Sequence, residues 1–266
     1  MRRRTVWRIL DANVIKPWRY TEWSVPRDPP CAEKAGVMLD LYGGGWPGDA
    51  LDANDSILSA DEKTRRQARR RCHPSLGPAP GRQRRVEHEY DRGGARPYLA
   101  AWDVQRGVVI GRCEAHTGIA PLSRLVTQVM AQAPYRSANR VWWVVDTGSS
   151  HRGQAAVRRL LKASSTTCLV HTPVHASWLH QVEISCSIVP RKVLTPNDFA
   201  SLEAVEQRLR FYEALSNHQP RPCAWQFTRV KLEECLKRLE AHGARLNQDQ
   251  AAQELLDTDQ GELLAA

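Results

Sequence analysis

Three acidic residues stand where a site for phosphate chemistry can be built: Asp61, Asp146 and Glu183. Asp61 closes the run SILSAD and Asp146 closes RVWWVVD. Both runs read as β-strands, and ligand sites in open α/β sheets gather at strand ends. Glu183 lies on a predicted helix that starts at Ser177, stops near Pro190 and buries Leu179, Val182, Cys186 and Val189. That spacing puts its carboxylate beside the buried stripe, able to lean toward the sheet. Three carboxylates brought together repel one another unless a cation sits between them, and hard oxygen ligands select magnesium or manganese. Two such ions can activate a water or a 3′-hydroxyl and stabilise the leaving oxygen of an in-line attack on a phosphodiester. Pattern alone leaves a plainer alternative open: Asp61 and Asp146 as ordinary strand-end or capping residues, and Glu183 as a solvated helix position.

Other side chains near these acids have readings of their own. Lys63, two residues after Asp61, points to the same side of an extended segment and is a candidate contact to a phosphate, or else a surface lysine. His151 is a candidate for hydrogen-bonding DNA or a metal-bound water, or a structural helix-start histidine. His171, His175 and His180 do not match a structural zinc spacing. Trp142 and Trp143 sit inside an apolar run and read as core rather than as base-stacking groups, while Trp178 fits either role.

The elements that must position these groups follow from periodicity and punctuation. A short basic helix opens the chain through Val6, Ile9 and Leu10 and stops at Lys16-Pro17; a proline-rich linker follows. Residues 31–42 resume a helical pattern, and GGGWPGDALDAND reads as loop. After the strand ending on Asp61, the runs RRVEHEY, RPYLAAWDV and VVIGRCEA predict a meander of strands separated by turns at DRGGA and QRG. Residues 119–132 predict a helix with Leu122, Leu125, Val126 and Val129 on one face. A buried strand to Asp146, a basic helix over 151–163, the strand TCLVHT and the Glu183 helix come next. An amphipathic helix over 199–217, with Leu202, Val205, Leu209 and Tyr212 on one face, precedes a polar helical tail after 229. Strands first, then alternating helix and strand, indicate an α/β fold with a mixed sheet.

A chain of 266 residues can bury a core without disulfide staples, and its net charge of +9 is weighted toward arginines at 2–4, 65–71 and 82–85. A polyanionic partner is the natural reading, against a merely arginine-rich, solvated surface. Seven scattered cysteines with no CxxC pair indicate neither a disulfide framework nor a zinc site, and fit a reducing cytoplasm. No apolar run approaches the roughly 18 residues that span a bilayer, and the start lacks the pattern of a secretory signal.

The wording around the acids carries a further signal. SADEKT, VVDTGSSHRG and TPVHASWLHQVEISCSI resemble, in order, the three catalytic blocks of the insertion-sequence-630 family of transposases, the bacterial branch of the mariner superfamily of DDE enzymes. Asp146 and Glu183 are 37 residues apart (183 − 146), a separation like that of the superfamily, and the resemblance runs from TVWRIL to RPCAWQFT. It implies an RNase H-like mixed sheet flanked by helices, with Asp61, Asp146 and Glu183 as catalytic and metal-binding residues for Mg2+ or Mn2+, two ions in all. Lys63, His151 and His180 become candidate DNA or supporting contacts. It further implies cleavage and strand transfer at the terminal inverted repeats of a bacterial element, joining to a TA target, by a homodimer in the nucleoid.

The family begins with two helix-turn-helix units, and TVWRIL resembles only the last helix of the second. The expected organisation is therefore a truncated helix-turn-helix remnant with linker over 1–30, a catalytic domain over 31–228 and a helical tail over 229–266. Thr147 and His180 stand where the family more often has asparagines, and Ser185 and Cys186 where it tends to have an aromatic pair. A truncated, inactive DNA-binding or partner-binding remnant is the alternative expectation, and a repair or RNA-processing nuclease on the same fold is a third.

Overall fold

The computed structural model describes residues 3–13, 16, 30–47, 49–146, 158, 164–174 and 176–244, with the backbone alone at 3 and 64–66. Five strands form the central sheet: β1 (Ser56–Arg70), β2 (Asp91–Asp103), β3 (Val109–Cys113), β4 (Val141–Val145) and β5 (Thr167–His171). Their spatial order is β3-β2-β1-β4-β5, with β1, β2 and β3 antiparallel and β4 and β5 added in parallel to β1. The mixed sheet expected from the order of elements is thus present, with the crossover at β1.

Alternation along β4 sets the two layers. All five residues VWWVV are buried. Trp143 and Val145 face one side, where they pack with Leu58, Ala101 and Leu122, Leu125, Val126 and Val129 of helix α3 (Ile119–Met130). Trp142 and Val144 face the other, against Met38 and Leu41 of helix α2 (Cys31–Tyr42) and against Leu179. Both tryptophans are therefore core, as their apolar setting predicts. The α2 boundaries coincide with the predicted 31–42; the following loop contains one two-residue β-ribbon, Gly45–Trp46 with Asp49–Ala50. Helix α1 (Arg3–Ala12) exposes Val6, Trp7 and Ile9.

Toward the far end of β1 and β2, a third cluster joins Ala68, Tyr98 and Ala100 to Val182, Cys186 and Val189, and to Val205 and Leu209. Val182 and Cys186 belong to helix α4 (Val182–Ile188), Val205 and Leu209 to helix α5 (Leu202–His218). Ser201 caps α5, accepting the Ala204 N–H. Residues 229–244 form helix α6, whose Leu232 is buried in the α2 layer; Arg229 pairs with Asp40 of α2.

Three expectations need correction. Asp61 does not end its strand: β1 continues to Arg70 because the long strand β2 supports it, Asp61 facing Ala100 and Arg70 facing Asp91. DRGGA is not a turn but the first part of β2, and its glycines sit at an irregularity. The register slips between Gln67 and Arg69, Gly94 adopts φ +90°, and a Cβ on Gly93 would lie 3.2 Å from the Ala68 Cβ. Glycine signals here mark a bulge within a strand. RRVEHEY is not a strand: it contributes only an isolated bridge from Arg85 to Leu76, and its one aliphatic side chain, Val86, stays exposed.

Candidate active site

Parallel register carries the first two acids to one edge. The last β1–β4 partners are Ser59 and Val144, and each aspartate lies two residues further along its own chain. Asp146 thus leaves the end of β4 next to β1, where its charge adds to the rise of the Asp61 pKa, but its carboxylate is not in the close group that Asp61 forms with Glu183 and Cys186. Glu183 arrives from α4. Its helix begins later than predicted: Ser177–Leu179 form a separate 3-10 turn, α4 starts at Val182, and Pro190 sits inside a π turn (Val189–Val193) instead of ending the helix. The apolar stripe is nonetheless as expected, with Leu179, Val182, Cys186 and Val189 all buried.

Asp61 and Glu183 converge. One carboxylate oxygen from each and the Cys186 sulfur all lie within 4.8 Å of one another. Among the described residues this is the one such group of histidine, cysteine and acidic side chains; His171 and His180 form no comparable set. Lys63 reaches into the same place, its Nζ donating to Glu183 Oε2 at 2.5 Å. Asp61 Oδ1 accepts the Glu62 N–H at 2.7 Å.

Electrostatics mark the concentration of charge. Burial raises the Asp61 pKa; His180 and the Glu62 N–H oppose the rise, while Glu183 and Asp146 reinforce it. Burial works against the Lys63 ammonium, but its bond to Glu183 and the nearby Cys186, Glu183 and Asp61 outweigh it, so the lysine pKa rises. His180 is buried, with Nε2 at 3.1 Å from the Val144 carbonyl oxygen, and burial lowers its pKa against the pull of Asp61. The imidazole is thus turned into the protein, under the strand that delivers Asp146. His151 and His175 lie outside the described residues, as do Thr147 and most of the predicted basic helix over 151–163.

Cys186 is the residue that motif reasoning passed over. Its signal was available, since position i+3 from Glu183 places it on the same helical face. The basic arm beyond the site is partly engaged: Arg69 stacks over Tyr90 at 4.4 Å, Arg71 donates to the Pro196 carbonyl and Arg70 pairs with Asp91. Arg82, Arg84 and Arg85 are exposed.

No family model and no curated protein matches this chain. Solved structures do. The Mos1 transposase paired-end complex with the left transposon end is 17% identical over 89% of this chain and 68% of that one, with a TM-score of 0.52. A pre-cleavage Mos1 transpososome is 14% identical over 89% and 70%, also at 0.52. The Mos1 transposase catalytic domain with raltegravir and Mn is 14% identical over 83% of this chain and 94% of that one, at 0.50. The chain has an RNase H-like fold, an α/β mixed sheet flanked by helices, like that of the Mos1 transposase catalytic domain.

Proposed function

We propose that this chain is a DNA transposase of the insertion-sequence-630 type, cutting and rejoining DNA at the ends of its element with Asp61, Asp146 and Glu183 as its metal-holding residues. The observation that supports the reading is the meeting of Glu183 with Asp61 on an RNase H-like sheet, with Asp146 following the neighbouring strand β4.

The donor set fits Mg2+ or Mn2+. Carboxylate oxygens are the hard ligands these ions take, the clustered charge raises the Asp61 pKa, and a cation, the Lys63 ammonium, already binds Glu183. When bound, two such ions supply activation of a water or 3′-hydroxyl and neutralise charge on the phosphate. The chain's own residues do the rest. Lys63, about one-third exposed at the rim, is positioned to exchange Glu183 for a phosphate oxygen. His180 holds the end of β4 through the Val144 carbonyl and so orients Asp146. The exposed arginines at 82, 84 and 85 and the positive net charge favour double-stranded DNA. In this reading the DNA is the element's terminal inverted repeat joined to a TA target, handled by a homodimer in a bacterial cell. Among the described residues no helix is long and apolar enough to cross a membrane.

The test is a nicking and strand-transfer assay on DNA bearing the element's ends, with Mg2+ or Mn2+ and Asp146→Asn as control. Metal-dependent cutting that the variant loses is expected. Binding without cleavage would overturn the enzymatic reading in favour of a DNA-binding remnant, and cutting only of branched or hybrid substrates would favour a repair or RNA-processing nuclease.

A further inference from the structure

We propose that Arg69 and Arg71 form a phosphate-binding pocket at the far end of β1, and that its ligand is a backbone phosphodiester of the DNA duplex held at the acids. The proposal rests on the reading of the chain as a DNA-binding enzyme, but it concerns binding alone, without metal or cleavage.

Arg69, Arg70 and Arg71 close the basic run at the end of β1. Arg70 turns to one side and pairs with Asp91. Arg69 and Arg71 instead meet on one aromatic ring, their guanidinium carbons 4.4 Å and 5.8 Å from the Tyr90 centroid. Such stacking attracts a cation without neutralising it. Arg69 also donates to the neutral Gln67 amide at 3.4 Å, and Arg71 to the Pro196 carbonyl at 3.3 Å. Among the described residues neither has a carboxylate partner. The acids nearby are engaged elsewhere: Asp198 accepts from the Ser75 hydroxyl and Glu87 from the His73 N–H. Two like charges thus stand together with no counter-charge.

A cavity of about 530 Å³ opens beside them, lined by Gln67, Arg69, Thr195, Pro196 and Asn197 among others. Next to Pro196, the Arg71 Nε is buried with no acceptor, a state that folded proteins rarely leave in place. An oxyanion in this cavity supplies that acceptor and offsets both guanidinium groups, whose planar forks match phosphate oxygens two at a time. The Asn197 Oδ1 is also buried without a partner, and turning its amide over presents Nδ2, a donor, to the same anion.

A carboxylate could satisfy the same donors, and position decides for DNA. Arg69 lies eight residues beyond Asp61 on the same strand (69 − 61). At about 3.3 Å per residue the separation is roughly 26 Å, less than the roughly 34 Å of one duplex turn. A duplex that follows β1 from the acids therefore brings backbone phosphates to the pocket within a single turn.

The experiment measures duplex binding by the full chain in metal-free buffer over a range of salt, for the wild type, Arg69→Gln, Arg71→Gln and Arg70→Gln. Each phosphate contact contributes about 0.9 to the slope of log K against log salt. The slope is expected to become shallower by about that amount in Arg69→Gln and in Arg71→Gln, and to stay unchanged in Arg70→Gln. Arg69→Lys keeps the charge and is expected to restore the slope; a slope still shallow in that variant would trace the change to a disturbed fold and overturn the proposal. Equal slopes in all the proteins would overturn the pocket and leave DNA binding intact, whereas a wild type that binds no duplex would overturn both. Unchanged duplex binding, together with Arg69-dependent binding of inorganic phosphate or of an oligoglutamate peptide, would assign the pocket to a free anion or an acidic protein and overturn the proposal as well.

Discussion

The Ser59 hydroxyl oxygen accepts the backbone N–H of Val182 at 3.0 Å, in a fully buried contact. Ser59 is the last β1 residue paired with β4 and stands two residues before Asp61; Val182 immediately precedes Glu183. One hydrogen bond therefore locks the helix that carries one acid onto the strand that carries another. Ser59→Ala leaves the Val182 N–H buried without that partner, which costs about 1–3 kcal/mol. Urea denaturation is expected to report that loss, and Mn2+ titration a weaker site. An unchanged Mn2+ affinity would mean that Glu183 keeps its position by packing alone.

Lys63 competes for Glu183 with any incoming cation. Both side chains of the pair are about one-third exposed, at 30% and 37%, so solvent screens the interaction. A pair of that kind is worth about 0.2–1 kcal/mol, and Lys63→Met should tighten Mn2+ binding by up to about fivefold. If Lys63 also holds a phosphate, the same variant binds duplex DNA more weakly and with a shallower salt dependence. Tighter metal binding without any change in DNA affinity would restrict Lys63 to the first role.

Why the carboxylates were legible and their surroundings less so is a matter of range. Asp146 follows five consecutive apolar residues, a local signal that needs no partner to interpret, and the stripe Leu179, Val182, Cys186 and Val189 is a local period. The length of β1 is not local. Residues 62–70 are polar and basic, and they form a strand only because β2 lies alongside with Gly93 and Gly94 absorbing a bulge. Those glycines mimic a turn in sequence, and the N-terminal half of α4's predicted span mimics a continuous helix where the chain in fact breaks at His180 and Gln181. Cys186 was visible as a core position, but its nearness to Asp61, 125 residues earlier (186 − 61), is a product of the fold.

Gly111 is fixed by a buried tyrosine. Tyr98 donates to Glu213 Oε1 at 2.9 Å, the Gly111 N–H donates to Oε2 at 3.2 Å, and a Cβ on Gly111 would fall 2.1 Å from the Tyr98 hydroxyl oxygen. Gly111→Ala must push Tyr98 aside, so the carboxylate that burial already disfavours loses a partner. Overpacking of this kind costs about 1–3 kcal/mol, and chemical denaturation should show it. Tyr98→Phe in the Gly111→Ala background should cost less than the two single changes added together, because both disturb the same Tyr98–Glu213 hydrogen bond, although the ring carbons at 2.4 Å still clash. Strict additivity would mean that the two positions do not interact.

Glu114 supplies a pH signature remote from the active site. It is nearly buried between two guanidinium groups: Arg124 binds it through Nε at 2.9 Å and Nη2 at 2.6 Å, and Arg112 through Nε. The hydrogen bonds from Arg124 lower its pKa first, burial opposes them, and Arg112 adds to the lowering, so the carboxyl falls from 4.5 to about 2. A folded pKa below the unfolded one means that the unfolded chain binds the proton first on acidification. The stabilisation is therefore complete above pH 4.5 and is lost progressively as pH falls toward about 2. Glu114→Gln should melt below the wild type at pH 7, and the difference in Tm between the two proteins should narrow at pH 3. A gap that stays constant between those conditions would mean that Glu114 contributes through shape and hydrogen bonding rather than through its charge.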